Sequence, residues 1–116
     1  MATIFETIDW DLYYEVEAER RRFVPEDDPA EAERTAFANS LLPEGMLGRV
    51  LEVGSGDGYL ASKMAPRGRI TCVDLVGQRV RRSIDRAGGH GVVARAEHLP
   101  FAEGAFDVVT MIEVLE

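Results

Sequence analysis

The chain places three glycines in five positions, Gly54, Gly56 and Gly58, directly after the apolar run Val50-Leu51-Glu52-Val53 and directly before Tyr59-Leu60. Such spacing removes each Cβ that would hold a ligand off the backbone. A tight strand-to-helix turn needs a single glycine with positive φ. The loop, with Ser55 inside it, therefore reads more readily as a small-molecule site than as a turn alone. A dinucleotide fingerprint would put its third small residue at position 59, where Tyr59 stands. A phosphate loop fails as well, because no Lys followed by Ser or Thr closes it. Glu52, two residues ahead of Gly54, would repel a phosphate and attract an ammonium group, which favours a ligand with an amino-acid head. Eighteen residues after Gly56, the run Arg69-Ile70-Thr71-Cys72-Val73-Asp74 ends in a carboxylate. Asp74 can accept hydrogen bonds from both hydroxyls of a ribose, or it can cap the helix that follows; the glycine loop upstream favours the ribose.

Residues so placed need a scaffold, and the patterning supplies one. From Arg49 onward, short β-branched runs alternate with glycines or amphipathic stretches. They predict strands near 49–53, 69–74, 91–94 and 106–111, with helices over 58–65 and 77–87. The second of these helices should turn Val80, Ile84 and Ala87 inward and Arg79, Arg82 and Arg86 to solvent. Parallel strands with such crossovers form a doubly wound α/β sheet with helices on both sides. Upstream, Leu12, Val16 and Phe23 share one face at helical spacing, and Pro25 ends that helix. Asp28, Pro29 and Glu31 spell an N-cap, a first-turn proline and a capping-box acid for a helix from about Pro29 to Leu42, which Pro43 and Gly45 stop. Nothing in these two helices pairs a nucleophile with a base, so 1–44 reads as a helical cap segment and 45–116 as the ligand-binding sheet domain.

Composition narrows the function classes further. A chain of 116 residues is one small domain. The net charge of −8 sits in residues 1–44, which hold 12 acids against 4 arginines, while the remainder is neutral. A neutral sheet domain offers no basic footprint for nucleic acid. No apolar run is long enough to span a bilayer, and the first residues lack a basic end followed by an apolar stretch, so no membrane partner and a cytoplasmic location are expected. The single cysteine, Cys72, leaves no internal disulfide and no Cys/His cluster for a metal; it reads as a buried thiol in a reducing compartment. His90 reads as a turn residue and His98 as an exposed or packing residue, and neither is assigned as a base.

One further stretch, Ala94-Arg95-Ala96-Glu97-His98-Leu99-Pro100-Phe101 followed by Phe106-Asp107-Val108-Val109 and Glu113-Val114-Leu115-Glu116, completes an ordered set. With E-V-G-S-G-D-G and the acid ending the second strand, it resembles the class I S-adenosylmethionine-dependent methyltransferases, most closely the small-molecule subgroup of type 11, over residues 49–116. The resemblance implies a Rossmann-like fold, S-adenosyl-L-methionine as cofactor and a small-molecule methyl acceptor. It implies that Glu52 orients the amino group of the methionine moiety and that Gly54, Ser55, Gly56 and Gly58 line the cofactor with backbone. It also implies that Asp74 holds the ribose, Leu75 packs on the adenine, and Ala96 and Glu97 meet the adenine edge with backbone. Many relatives carry an aspartate where this chain has Arg95, and a guanidinium cannot accept a bond from the adenine amino group. Adenine recognition then rests on backbone and packing.

The family sheet runs 3-2-1-4-5-7-6, whereas this sequence stops just after the fourth strand. The expectation is a truncated S-adenosylmethionine-binding half-domain over 45–116, weak or inactive alone, with the fourth strand an unpaired edge open to self-association. The competing reading is a non-catalytic fragment that binds the cofactor or a partner chain. A nicotinamide-dependent oxidoreductase is disfavoured by Tyr59 and Glu52. The acceptor and any catalytic base are not legible, with Tyr13 and Tyr14 the candidates for lining an acceptor pocket.

Overall fold

The computed structural model describes residues 28–112, together with Leu12 and Val16, which are helical with half-exposed side chains. The rest of the first expected helix, Tyr13, Tyr14 and Phe23 included, lies outside the described residues, as does Glu113-Val114-Leu115-Glu116.

The four β-branched runs form four parallel strands, β1 (Gly48–Val53), β2 (Gly68–Asp74), β3 (His90–Val93) and β4 (Val108–Met111). Their order is β3-β2-β1-β4, so the direction of winding reverses beside β1. That reversal opens a crevice at the carboxyl ends of β1 and β4, the usual ligand position in a doubly wound sheet. The register sets Glu52 of β1 between Cys72 of β2 and Thr110 of β4. The order is the first four positions of the sheet that the resemblance implies.

Three helices are described: α1 (Pro29–Ser40), α2 (Tyr59–Met64) and α3 (Gly77–Ala87). Asp28 caps α1, its carboxylate accepting from Ala30 N–H at 3.0 Å and Glu31 N–H at 3.4 Å, and Pro29 opens the first turn. Glu31 does not close a capping box; it pairs with Arg34 one turn on. α2 runs into a single 3-10 turn, Ala65–Arg67, where Pro66 ends it.

Period-2 alternation sorts the strands onto two faces. Val50, Ile70 and Cys72 pack with Leu60, Ala61 and Met64 of α2 and with Leu47. Leu51, Val53 and Val73 face the other way, against Val92, Ala94, Ala96, Leu99, Phe101 and Phe106. Among the described residues that second cover is the loop between β3 and β4, stiffened by an edge-to-face pair of Phe101 and Phe106 with centroids 5.0 Å apart, and not the helix a doubly wound sheet leads one to expect. β4 begins at Val108 instead of 106, because Phe106 turns into this cluster and Asp107 is occupied at the strand start. The Asp107 N–H donates to the Arg49 carbonyl at 2.8 Å, and its carboxylate accepts from the Arg49 N–H at 2.8 Å. The Arg49 N–H and then the Arg49 guanidinium, both donating to the carboxylate, hold the Asp107 carboxyl below the usual carboxylate range. His90, read as a turn residue, is instead the first residue of β3.

Candidate functional site

The glycine loop grows directly out of β1. Gly54 N–H and Ser55 N–H both donate to the Val73 carbonyl, at 2.7 and 3.0 Å, so the pairing of β1 with β2 carries into the loop. The chain then turns at Gly56 with φ +56° and at Gly58 with φ +81°, both in the left-handed region. The two glycines serve different neighbours. A Cβ on Gly56 would meet nothing within 4 Å, whereas one on Gly58 would lie 2.5 Å from the Cα of Ser83 in α3. Gly56 thus fronts open space, and Gly58 is where α3 presses against the start of α2.

Two carboxylates flank the loop. Asp74, buried at the end of β2, accepts the Gly56 N–H on Oδ2 and the Val76 N–H on Oδ1, each at 3.0 Å. It makes an Asx-type turn ahead of α3 rather than a cap, and each oxygen keeps acceptor capacity. Glu52 is only 6% exposed and accepts from the Ala61 backbone amide, while its Oε2 has no partner. Burial, joined by the negative charge of Asp74 and opposed by the Ala61 amide, pushes the Glu52 carboxyl up to about 8. At neutral pH it is largely protonated, so a cation brought against it would displace that proton. Cys72, fully buried beside Glu52, is pushed up to about 12 by burial and then by the Glu52 charge, which keeps it a thiol and a poor nucleophile.

Leu75 follows Asp74 half-buried, and the Ala94 N–H donates to the Asp74 carbonyl at 3.1 Å, bringing the segment with Ala96 and Glu97 to the same end of the sheet. Ala96 packs in the second-face cluster and Glu97 is exposed in a turn. His98 is exposed. Among the described residues no group of His, Cys, Asp and Glu is arranged to hold a metal ion, and no helix is long and apolar enough to cross a membrane.

The arginine face of α3 is not uniformly solvated. Arg82 pairs with Asp57 of the loop at 3.3 Å, both side chains largely buried, and Arg86 lies over the Tyr59 ring at 5.9 Å with Lys63 at 5.1 Å. Tyr59 thereby has two cations within reach of its ring. Two polar residues at the site escaped the sequence reading. Thr110, adjacent to Glu52 across β1 and β4, is buried with an unpartnered hydroxyl. Ser83 is fully buried, its hydroxyl 3.0 Å from Ser55 Oγ and 2.9 Å from the Gly56 carbonyl. A small polar residue on the inward stripe Val80, Ser83, Ile84, Ala87 was the available signal for Ser83, and alternation with Val108 for Thr110.

Residues 51–116 match a family of methyltransferase domains, type 11, and that match takes in more than half of the chain. The chain belongs to this family of class I S-adenosylmethionine-dependent methyltransferases, and S-adenosylmethionine is the cofactor that goes with it. A malonyl-[acyl-carrier protein] O-methyltransferase of Geobacter sulfurreducens is 44% identical over a region covering 53% of this chain and 26% of that protein. The N-methyltransferase NodS of Bradyrhizobium japonicum, solved with S-adenosylhomocysteine, superposes with a TM-score of 0.71 at 24% identity, over 82% of this chain and 54% of that one. A phosphoethanolamine N-methyltransferase of Haemonchus contortus, solved with phosphoethanolamine and S-adenosylhomocysteine, gives 0.66 at 17% identity, over 87% of this chain and 25% of that one. At those identities the structural likenesses speak for the fold. The chain spans about a quarter of the curated relative and about half of the NodS chain.

Proposed function

We propose that this chain is the cofactor-binding portion of a methyltransferase that transfers a methyl group from S-adenosylmethionine to a small-molecule acceptor, with 1–44 a cap segment and 45–116 the binding half-domain. One observation carries the reading: the unpartnered, buried Oε2 of Glu52 and the carboxylate of Asp74 stand on neighbouring strand ends, either side of a glycine whose Cβ direction is open. An aminoacyl head, a slender aliphatic sulfonium linker and a ribose match that set in order. Glu52 takes the ammonium, Asp74 uses its remaining lone pairs on the ribose hydroxyls, and Gly54, Ser55 and Gly56 let the linker lie against the backbone between them. Leu75 packs on the adenine, and the backbone at Ala96 and Glu97 meets its polar edge. Gly58 serves the same site from behind, by admitting α3.

When bound, the cofactor supplies a methyl already activated on a sulfonium. The residues here therefore contribute alignment and exclusion of water more than acid–base chemistry. The relatives are named as an O-methyltransferase of malonyl-[acyl-carrier protein] and as N-methyltransferases, one of them of phosphoethanolamine. The acceptor therefore follows from elements other than the glycine loop. A free thiol as buried as Cys72 suits a reducing cytoplasm.

Calorimetric titration of S-adenosylhomocysteine into the chain tests the reading. Binding is expected, weakened at least about tenfold in Asp74→Ala, with NADH failing to compete. No binding to a folded sample overturns it. A second reading, a cofactor- or partner-binding fragment without turnover, draws support from Val109 and Met111, which lie exposed on the outer strand β4.

A further inference from the structure

Two consecutive residues of α3 touch four consecutive residues of the glycine loop. The Ser83 hydroxyl reaches Ser55 Oγ at 3.0 Å and the Gly56 carbonyl at 2.9 Å, Arg82 pairs with Asp57 at 3.3 Å, and Gly58 abuts the Ser83 backbone. A hydroxyl has one hydrogen to give, so the consistent arrangement is that Ser83 donates to the Gly56 carbonyl and accepts from the Ser55 hydroxyl. The Gly56 N–H is meanwhile donated to Asp74. Both polar groups of Gly56 are therefore taken by the protein, one from β2 and one from α3, although its Cβ direction is open and glycine is the residue with most freedom to lose.

We propose that Ser83, supported by Arg82, is a positioning residue for the cofactor loop. It holds the Gly56 carbonyl turned back toward α3, so that the face offered to the ligand is set before the ligand arrives. This rests on the cofactor reading above. Ordering a loop on binding costs affinity, and a loop ordered in advance does not carry that cost. Position 83 then has two requirements. It must be small, because Gly58 leaves no room above it, and it must be a donor, because among the described residues the Gly56 carbonyl has no other hydrogen-bond partner. Alanine meets the first requirement and fails the second, which makes Ser83→Ala the separating variant.

The test has two readouts on the full chain. Calorimetry with S-adenosylhomocysteine should show affinity reduced about tenfold in Ser83→Ala and about threefold in Arg82→Gln. Hydrogen exchange should show the Gly56 amide exchanging faster in both variants, while the amides of β1 and β2 keep their protection. A merely structural role would lower protection evenly across the sheet, and that result, or wild-type affinity in folded Ser83→Ala, overturns the proposal. If Ser83→Ala does not fold, Arg82→Gln decides by the same two measurements. If the parent chain binds no S-adenosylhomocysteine, the cofactor reading falls, whereas the exchange comparison at Gly56 still decides whether α3 sets the loop.

Discussion

The loop at 54–58 and the strand at 108–111 leave the same crevice and are built in opposite ways. The loop is tied to β2 through Val73 and Asp74 and to α3 through Arg82 and Ser83, and beneath it Val50, Cys72 and Met64 are completely buried. β4 has one strand neighbour among the described residues and turns Val109 and Met111 outward, 56% and 44% exposed. The loop side is closed by contacts within this stretch of chain. The β4 side leaves apolar side chains, Val109 and Met111, in water. The lesson is that the glycine loop is braced from several elements at once, whereas the outer strand is braced, among the described residues, from one side only.

Removing the foundation on the first side should have the largest effect. Met64→Ala opens a cavity under α2 and should cost about 2–5 kcal/mol in urea unfolding. A midpoint close to the parent's would show that the core beneath the loop is not what holds it. Glu52 sharpens the comparison through pH. Its carboxyl is raised in the folded chain, so between about 4.5 and about 8 the folded state keeps a proton that the unfolded state has released. Stability should therefore fall as pH rises across that window, by roughly a few kcal/mol in all, and Glu52→Gln should flatten the slope. The same proton should be released when S-adenosylhomocysteine binds at neutral pH, visible as a dependence of the binding heat on buffer ionisation and absent in Glu52→Gln. The smallest effect on folding belongs to the other region. Val109→Lys should move the unfolding free energy by no more than about 0.5 kcal/mol, yet sedimentation should show less self-association than the parent, because a charge on an outer strand blocks edge pairing. Equal association in the two proteins would remove the case for the edge as a pairing surface.

Much of the sheet was legible because it is written locally. Strand runs end where the glycine-rich loop and Asp74 interrupt them, and Asp28-Pro29 starts α1 with its own side chain. α3 lies over 77–87 as the spacing of its apolar residues predicts. What escaped is what depends on how one element lies across another. Arg82 looks like any solvent-facing arginine until α3 crosses the loop and brings it to Asp57, 25 residues earlier. Gly58 looks like one more residue for close ligand approach until Ser83 fills the space beside it. The second face of the sheet is closed by Phe101 and Phe106 on a loop with no helical periodicity to announce it.

By itself the sequence determined the order of strands and helices, the place of the glycine loop and the two carboxylates beside it, since propensity, turn chemistry and period act over a few residues at a time. Tertiary structure alone decided which of those groups are satisfied. It left Glu52 with an empty acceptor in a buried setting, gave both oxygens of Asp74 to backbone amides, and set Ser83 behind Gly56. Burial and hydrogen-bond partnership are properties of the packed chain, and no residue carries them before the elements meet.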